Sequence, residues 1–230
     1  MKLCILMPAK NESASLPETI SRIDNILKSR IPYGFLIIDD HSFDDTNRTL
    51  ELLSKKYTRL AYFKNELDGG VGNAIKFGLS RWEGDIVSIC MADGSEDPQD
   101  IVTSYDHIAR GDCDCVFGSR FIKGSTIIDY PGTKRVLNRI FNTIVKWITN
   151  NSYNDYTNIF KTYHRKAIES IQPIESSGFS IGLEMSLKIL KTKMRVKIIP
   201  IHWKQRKTGK SKLKIIRSLY SYFSTLIRNM

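Results

Sequence analysis

Short apolar runs separated by polar, helix-patterned segments dominate the first 120 residues. Lys2–Pro8, Tyr33–Ile38, Leu60–Phe63, Ile86–Ala92 and Cys113–Gly118 predict strands, with Tyr33–Ile38 and the run from Ile86 buried. Between them, Ile20, Ile23, Ile26 and Leu27 recur at helical spacing, as do Leu50, Leu52 and Leu53 within 45–57. Further helices are expected from the glycine turn at 69–72 to Arg81, and over Gln99–Ala109. Ser15-Leu16-Pro17-Glu18 has the Ser-x-x-Glu form of a capping box, with proline in the first turn. Strands alternating with helices predict an α/β fold, a mostly parallel sheet flanked by helices on both faces. Every polar loop noted so far follows a strand, so Asn11/Glu12, Asp39/Asp40, the glycine turn and Asp93 should gather at one edge.

The stretch IVSICMADGSEDP (86–98) holds the centre of this pattern. Its apolar run, interrupted by Ser88, stops at Asp93, Glu96 and Asp97. Ligands of open α/β sheets bind beyond the carboxyl ends of strands, where a carboxylate can hold a divalent cation and the cation can hold phosphates. The competing reading is that Asp93 or Asp97 caps the next helix.

Beyond Phe121 the pattern changes. Val136, Leu137, Ile140, Phe141, Ile144, Val145 and Ile148 form an apolar stripe over Lys134–Thr149, flanked by Lys134, Arg135, Arg139 and Lys146. Ser180–Leu190 predicts another helix and Val196–His202 a strand. In Leu213–Ile227, Ile216, Leu219, Tyr220, Phe223 and Ile227 share one helical face. Such stripes are ordinarily core-facing, but basic flanks and aromatic residues also suit an anionic membrane interface.

At 230 residues and 41% hydrophobic content, the chain can build one sizeable core. No apolar run approaches a membrane span, and Met1–Pro8 reads as a strand, not a signal peptide. Cys4, Cys90, Cys113 and Cys115 have neither CxxC spacing nor the look of a disulfide framework, which points to a reducing cytosol. The net charge of +11 is concentrated at one end: Met185–Met230 holds 13 Lys or Arg and no Asp or Glu. The first 184 residues carry 22 basic and 24 acidic side chains. A basic block of this kind suggests an anionic partner, whether phosphate, nucleic acid or acidic membrane, or else a solvated basic face.

The glycine turn lacks the third glycine of a dinucleotide fingerprint and follows the third strand, and there is no GxxxxGK[ST] loop. Its glycines suit close packing or close backbone approach. No RRM, KH, zinc-finger or helix-turn-helix signature accompanies the basic block, so no nucleic-acid partner is expected.

Taken together, Pro8-Ala9-Lys10-Asn11-Glu12, Ile38-Asp39-Asp40-His41-Ser42, Gly70-x-Gly72-x-Ala74 and Met91-Ala92-Asp93 resemble the loops of family 2 glycosyltransferases. More narrowly, the chain resembles the dolichol-phosphate mannose synthase-like branch. The resemblance continues through Gly118-Ser119-Arg120-Phe121, Asp155-Tyr156-Thr157-Asn158-x-Phe160-Lys161, Gly178-Phe179 with Glu184, and Arg206-x-x-Gly209-x-Ser211-Lys212.

The resemblance implies a GT-A fold, a nucleotide-sugar donor of the GDP-mannose or UDP-hexose type, a divalent cation (Mg²⁺ or Mn²⁺) and inversion at the anomeric carbon. It implies a polyprenyl- or dolichyl-phosphate acceptor, with a glycolipid or saccharide hydroxyl as the alternative. Pro8, Lys10 and Glu12 would line the nucleoside site. Ile38 and Asp40 would contact base or ribose, with Asp39 the second candidate. Ala92 and Asp93 would lie at the diphosphate, and Asp93 would be the metal ligand and a catalytic residue. Arg120, Arg206 and Lys212 match positions that bind phosphates, and Arg120 and Arg206 would assist the chemistry.

Met91 stands where the branch commonly has the first carboxylate of Asp-x-Asp. A thioether cannot replace a carboxylate for a hard cation, although one carboxylate plus substrate phosphates and waters can hold Mg²⁺. Ser95, Glu96 or Asp97 are candidates to compensate. A phosphate acceptor needs no strong base; a hydroxyl acceptor would call for one, with Glu96 and Asp97 the first residues to consider. Residues 1–212 are expected to form the catalytic domain and 213–230 a basic amphipathic helix at a membrane, with the enzyme peripheral on the cytoplasmic face.

Overall fold

The computed structural model describes residues 1–205 and 215–230. Its centre is a seven-stranded sheet in the order β3-β2-β1-β4-β7-β5-β8. These strands are β1 (Leu3–Ala9), β2 (Tyr33–Asp39), β3 (Leu60–Lys64), β4 (Ile86–Ile89), β5 (Cys115–Ser119), β7 (Lys161–His164) and β8 (Val196–Pro200). A second, two-stranded sheet pairs β6 (Thr126–Ile128) with β9 (His202–Lys204) in parallel. The helices are α1 (Leu16–Leu27), α2 (Thr46–Lys56), α3 (Val71–Leu79), α4 (Pro98–Ala109), α5 (Gly132–Thr149), α6 (Arg165–Ser170), α7 (Ile181–Leu190) and α8 (Ile215–Arg228).

Side chains alternate across each strand, and the two sheet faces therefore collect different partners. Cys4, Leu6, Leu36 and Ile38 point to one face with Phe77 of α3, Phe141 of α5, Leu183 of α7 and Tyr222 of α8. Leu3, Ile5, Met7, Phe35 and Ile37 point to the other, with Ile20 of α1, Leu50 of α2 and Ile101 of α4. All seven residues of β1 are buried, as a strand covered on both faces requires. The four cysteines are free and buried, and burial pushes the Cys4 thiol up to about 12.

The mostly parallel α/β architecture agrees with the sequence pattern, and several local expectations are corrected. β7 was not expected. It enters antiparallel between β4 and β5 and explains the interruption of the β4 run: Ser88 is fully buried and accepts a hydrogen bond from Thr162 Oγ1 at 3.0 Å. The capping box does not form. Ser15 has helical φ/ψ (−93°, −33°), and its hydroxyl donates to Glu12 Oε2 at 2.9 Å rather than accepting from the helix. Leu52 is 60% exposed; Leu50 and Leu53 alone anchor α2. The strand expected over Val196–His202 breaks after Pro200, where Thr126 N–H donates to Ile201 O (3.1 Å) and the chain passes to the second sheet.

The stripe on α5 is a helix face as expected, yet only Phe141 and Val145 of it are buried. Val136, Ile140 and Ile144 face outward and the neighbouring Trp147 is 83% exposed. α5 meets α8 through Phe141, whose ring lies 5.3 Å from Tyr222 and 5.5 Å from Phe223. On α8, Tyr222 and Leu226 join the core while Tyr220 and Ile227 face outward. No helix of the described residues is long and apolar enough to cross a membrane.

Phe117, fully buried with Tyr153 and Tyr163 rings at 5.1 and 6.0 Å, anchors β5 where it meets β7. Phe117→Ala is expected to lower unfolding free energy by about 3–5 kcal/mol, read by urea denaturation, because the cavity cannot collapse between two strands.

Candidate active site

The ends of β1 and β2 carry the first group of polar residues. Asn11 and Ser42 tie the two loops together: Asn11 N–H donates to Ser42 Oγ (2.8 Å) and Phe43 N–H to Asn11 Oδ1 (2.8 Å). Asp40 is buried and its carboxylate is used internally. It accepts from Asn65 Nδ2 (3.0 Å) and Gly70 N–H (2.9 and 3.0 Å), with Lys10 Nζ at 3.7 Å and His41 Nδ1 at 3.5 Å. Asp39 is 1% exposed; Oδ1 accepts from Ser42 N–H (3.2 Å) while Oδ2 is buried without a hydrogen-bond partner. A buried carboxylate oxygen without a donor is costly. Asp40 is the more fully bonded of the two carboxylates, and Asp39 Oδ2 is the oxygen left without a partner. The side chains of Ile38 and Ala92 lie in the core, and Pro8 is buried in β1. Glu12 accepts from Ser15 Oγ and its N–H donates to Thr46 Oγ1 (2.9 Å), so it braces the α1 and α2 starts.

The glycine turn is shaped by close approach. A Cβ on Gly70 would lie 2.4 Å from Ser177 O, and one on Gly72 would lie 2.4 Å from Ser176 O. Gly70 also has φ +149°, which side-chain-bearing residues rarely adopt. Ser177 O accepts the Gly72 (2.9 Å) and Asn73 (3.2 Å) N–H groups, satisfying donors of the first turn of α3.

At the end of β4 the acidic residues divide their work. Asp97 is the N-cap of α4, accepting from Gln99 N–H at 2.8 Å. Asp93 is half-buried; its Oδ1 accepts from Ser95 N–H (3.1 Å). Glu96 is buried and accepts from Met91 N–H at 3.3 Å. Burial, aided by the Asp93 charge, pushes its carboxyl up to about 8. The loop is bolted to β9: Lys204 N–H donates to Ser95 O (2.9 Å), Asp97 N–H to His202 O (3.2 Å), and Asp100 accepts from His202 N–H (2.7 Å).

Beyond β5, Arg120 and Asp155 form a buried bidentate pair, Nε to Oδ2 at 2.9 Å and Nη2 to Oδ1 at 2.7 Å. Burial alone would lower the arginine pKa; Asp155 outweighs it and holds the guanidinium above its ordinary value. Rings of Phe121, Tyr130 and Trp203 surround Arg120 at 5.4–5.9 Å. That edge of Arg120 is held by Asp155. Lys161 is also buried, and burial pulls its ammonium down to about 7. It donates to Asn158 O and Tyr156 O, holding the 155–160 turn. Arg206 and Lys212 lie outside the described residues.

A family profile described as "Glycosyl transferase family 2" matches residues 4–172. The chain belongs to glycosyl transferase family 2. It is 27% identical over its full length to a dolichol-phosphate mannosyltransferase of Pyrococcus furiosus, spanning 64% of that protein. It is 26% identical to a polyprenol monophosphomannose synthase of Mycolicibacterium smegmatis, over 91% of this chain and 80% of that one. An undecaprenyl-phosphate mannosyltransferase of Micrococcus luteus is 24% identical, over 93% and 88%. Among solved structures, glucosyl-3-phosphoglycerate synthase from Mycobacterium tuberculosis, in complex with Mn²⁺, UDP-glucose and phosphoglyceric acid, superposes with TM-score 0.74. It is 14% identical and the match covers 99% of this chain and 79% of that one. The same enzyme with Mg²⁺ and UDP gives 0.74 at 14% identity, over 99% and 79%. The architecture of this glycosyltransferase is the GT-A fold.

Asn65, Tyr130 and Trp203 were not singled out from the sequence. Asn65 follows β3 directly, so a polar residue at a strand end was its only signal. Trp203 reaches the site through β9, a strand of three residues that no periodicity announces.

Glu96 has a testable pH signature. Its carboxyl ionises near 4.5 when unfolded and near 8 when folded, so the folded state binds more protons between these values and stability falls as pH rises through that window. Glu96→Gln should remove this loss: the variant's denaturation midpoint should gain on wild type between pH 5 and pH 8, as read by urea titration at both values.

Proposed function

We propose that this glycosyltransferase moves a sugar from a nucleotide-sugar donor of the GDP-mannose or UDP-hexose type to a polyprenyl-phosphate acceptor, with inversion. The observation that carries the acceptor half is the bare apolar face of α5. That face begins beside Arg120: Tyr130, just before α5, and Phe121 both stack near Arg120, and Arg139 of α5 lies 4.8 Å from the Phe121 ring. A ligand with an anionic head and an apolar tail matches cations beside an apolar helix face. The names of the Pyrococcus, Mycolicibacterium and Micrococcus relatives support the same lipid-phosphate class and mannose as the sugar.

On the donor side, Asp39 Oδ2 would accept a hydrogen bond from base or ribose, with Lys10 close by and the glycine turn shaping the wall. Asp93 would hold the divalent cation. Among the described residues no three His, Cys, Asp or Glu side chains converge on one point. The donor set therefore fits a cation completed by diphosphate oxygens and water rather than a closed protein cage. Mg²⁺ or Mn²⁺ bound there supplies charge stabilisation to the departing nucleoside diphosphate. Arg120, Arg206 and Lys212 are assigned to phosphate oxygens of donor or acceptor, with Asp155 orienting Arg120.

The acceptor oxygen is anionic near neutral pH, so attack at the anomeric carbon requires no proton removal. The acidic loop agrees with this economy: Asp97 is spent as a helix cap, and Glu96 is buried against Met91 N–H. Attack opposite the leaving group inverts the configuration. The outer faces of α5 and α8, with Arg135, Arg139 and Lys146 exposed beside the apolar residues, are assigned to the anionic cytoplasmic surface of a membrane.

Transfer assays with GDP-, UDP- and dTDP-sugars against polyprenyl phosphate, with and without Mg²⁺ or Mn²⁺, test the reading. Asp93→Ala should reduce transfer by about 10²-fold or more, the scale of losing a main electrostatic contributor. Its melting temperature should stay near wild type, because the side chain is half-buried and bonds only within its own turn; full activity would remove Asp93 from the site. Separately, Trp147→Glu should abolish co-sedimentation with anionic liposomes and leave the far-ultraviolet spectrum unchanged. Undiminished liposome binding would exclude α5 from the membrane face.

A further inference from the structure

We infer that Glu184 is a positioning residue for the donor site, acting through the 175–178 loop on the glycine turn; the inference rests on the donor reading above. Glu184 sits in the first turn of α7 with its side chain fully buried. Its Oε1 accepts from Glu175 N–H (2.8 Å) and pairs with Lys188 Nζ (2.9 Å), and its Oε2 accepts from Ser176 N–H (2.7 Å). The two backbone donors therefore divide between the two oxygens, and an ionised carboxylate is the side chain of this length that can serve both. Burial would raise the Glu184 pKa; the Ser176 and Glu175 hydrogen bonds and Lys188 outweigh it and hold the carboxyl below its ordinary value.

The next residue along the loop completes the connection. Ser177 O receives the Gly72 and Asn73 N–H groups, and the loop backbone lies so close to Gly70 and Gly72 that neither segment can shift without the other. Gly70 N–H in turn bonds both oxygens of Asp40, whose neighbour Asp39 holds the partnerless oxygen. From α7 to the end of β2, each step is thus a hydrogen bond or a backbone contact with no slack. Helix α8 grips the same loop from outside: Arg228 Nε pairs with Glu175 at 2.9 Å and Tyr222 OH donates to Phe179 O at 3.2 Å. A residue that never touches substrate therefore sets the geometry of a wall that does.

The experiment is calorimetric titration of UDP and of GDP, each with Mg²⁺, into wild type and Glu184→Gln, beside steady-state kinetics. An amide offers one acceptor oxygen and turns a donor toward the second backbone N–H. The expected result is nucleoside-diphosphate affinity and donor KM weakened about tenfold, with acceptor KM unchanged and circular dichroism intact. A purely structural role would instead lower stability and leave the donor constants alone, and wild-type donor affinity in the folded variant overturns the inference. If Glu184→Gln does not fold, Gly72→Ala decides, since its Cβ would press apart the same loop–turn contact from the α3 side. Weakened nucleoside-diphosphate binding supports the inference and unchanged binding overturns it. Absence of nucleoside-diphosphate binding in wild type is a different outcome: it overturns the donor reading itself, and the inference with it.

Discussion

Parallel pairing of β1 with β2 on one side and β4 on the other governs where polar residues of the first half can go. Three strands running the same way must end at the same edge. Because β1 is buried on both faces, its loop cannot turn back across the sheet. The loops after β1, β2 and β4 are thereby forced into one another's company, and the turn after β3 reaches them through Asn65 and Gly70. The antiparallel insertion of β7 extends the same edge: Asp155 to Phe160 enter β7 from the side where Arg120 leaves β5. The loops after β1 and β2, the acidic loop and Arg120 share one rim for reasons of chain direction.

On that rim the carboxylates differ in role because their partners differ. Asp40 takes donors from two neighbouring segments and behaves as a structural acceptor. Asp97 is consumed by a helix end. Asp155 is matched by Arg120 in a water-poor setting, where loss of either partner would strand a charge. Glu96 is buried, and burial pushes its carboxyl upward. Asp39 keeps one buried oxygen without a partner, and Asp93 bonds only the Ser95 N–H of its own turn; these are the two carboxylates to which the proposed function gives the nucleoside and the cation.

Long apolar runs made much of this legible in advance. β1, β2 and β4 announce themselves, and so does the convergence of their loops. Ser88 looked like a flaw in the β4 run because its partner, Thr162, belongs to a strand of four residues with a single large apolar side chain. Periodicity could not reveal that strand. The α5 stripe was readable as a helix face but not as an exposed one, since burial depends on what packs opposite, and among the described residues the rings of α8 meet α5 at Phe141. Asp39 and Asp40 could be named from their place at the end of β2, but the bonding that distinguishes them could not, because it depends on Asn65 and Gly70, distant in sequence. The Ser15–Glu18 pattern failed for a local reason: Ser15 already has helical backbone angles, unlike an N-cap, and its hydroxyl turns to donate to Glu12.

The three tryptophans occupy three unlike surroundings. Trp82 is buried beneath the Arg165 guanidinium, Trp147 stands almost bare on α5, and Trp203 stacks near Tyr130 and Arg120 on the strand that secures the acidic loop. The chain thus carries native optical reporters at its core, its outer helix face and its rim. Removing any two by substitution would leave an emission that describes a single location.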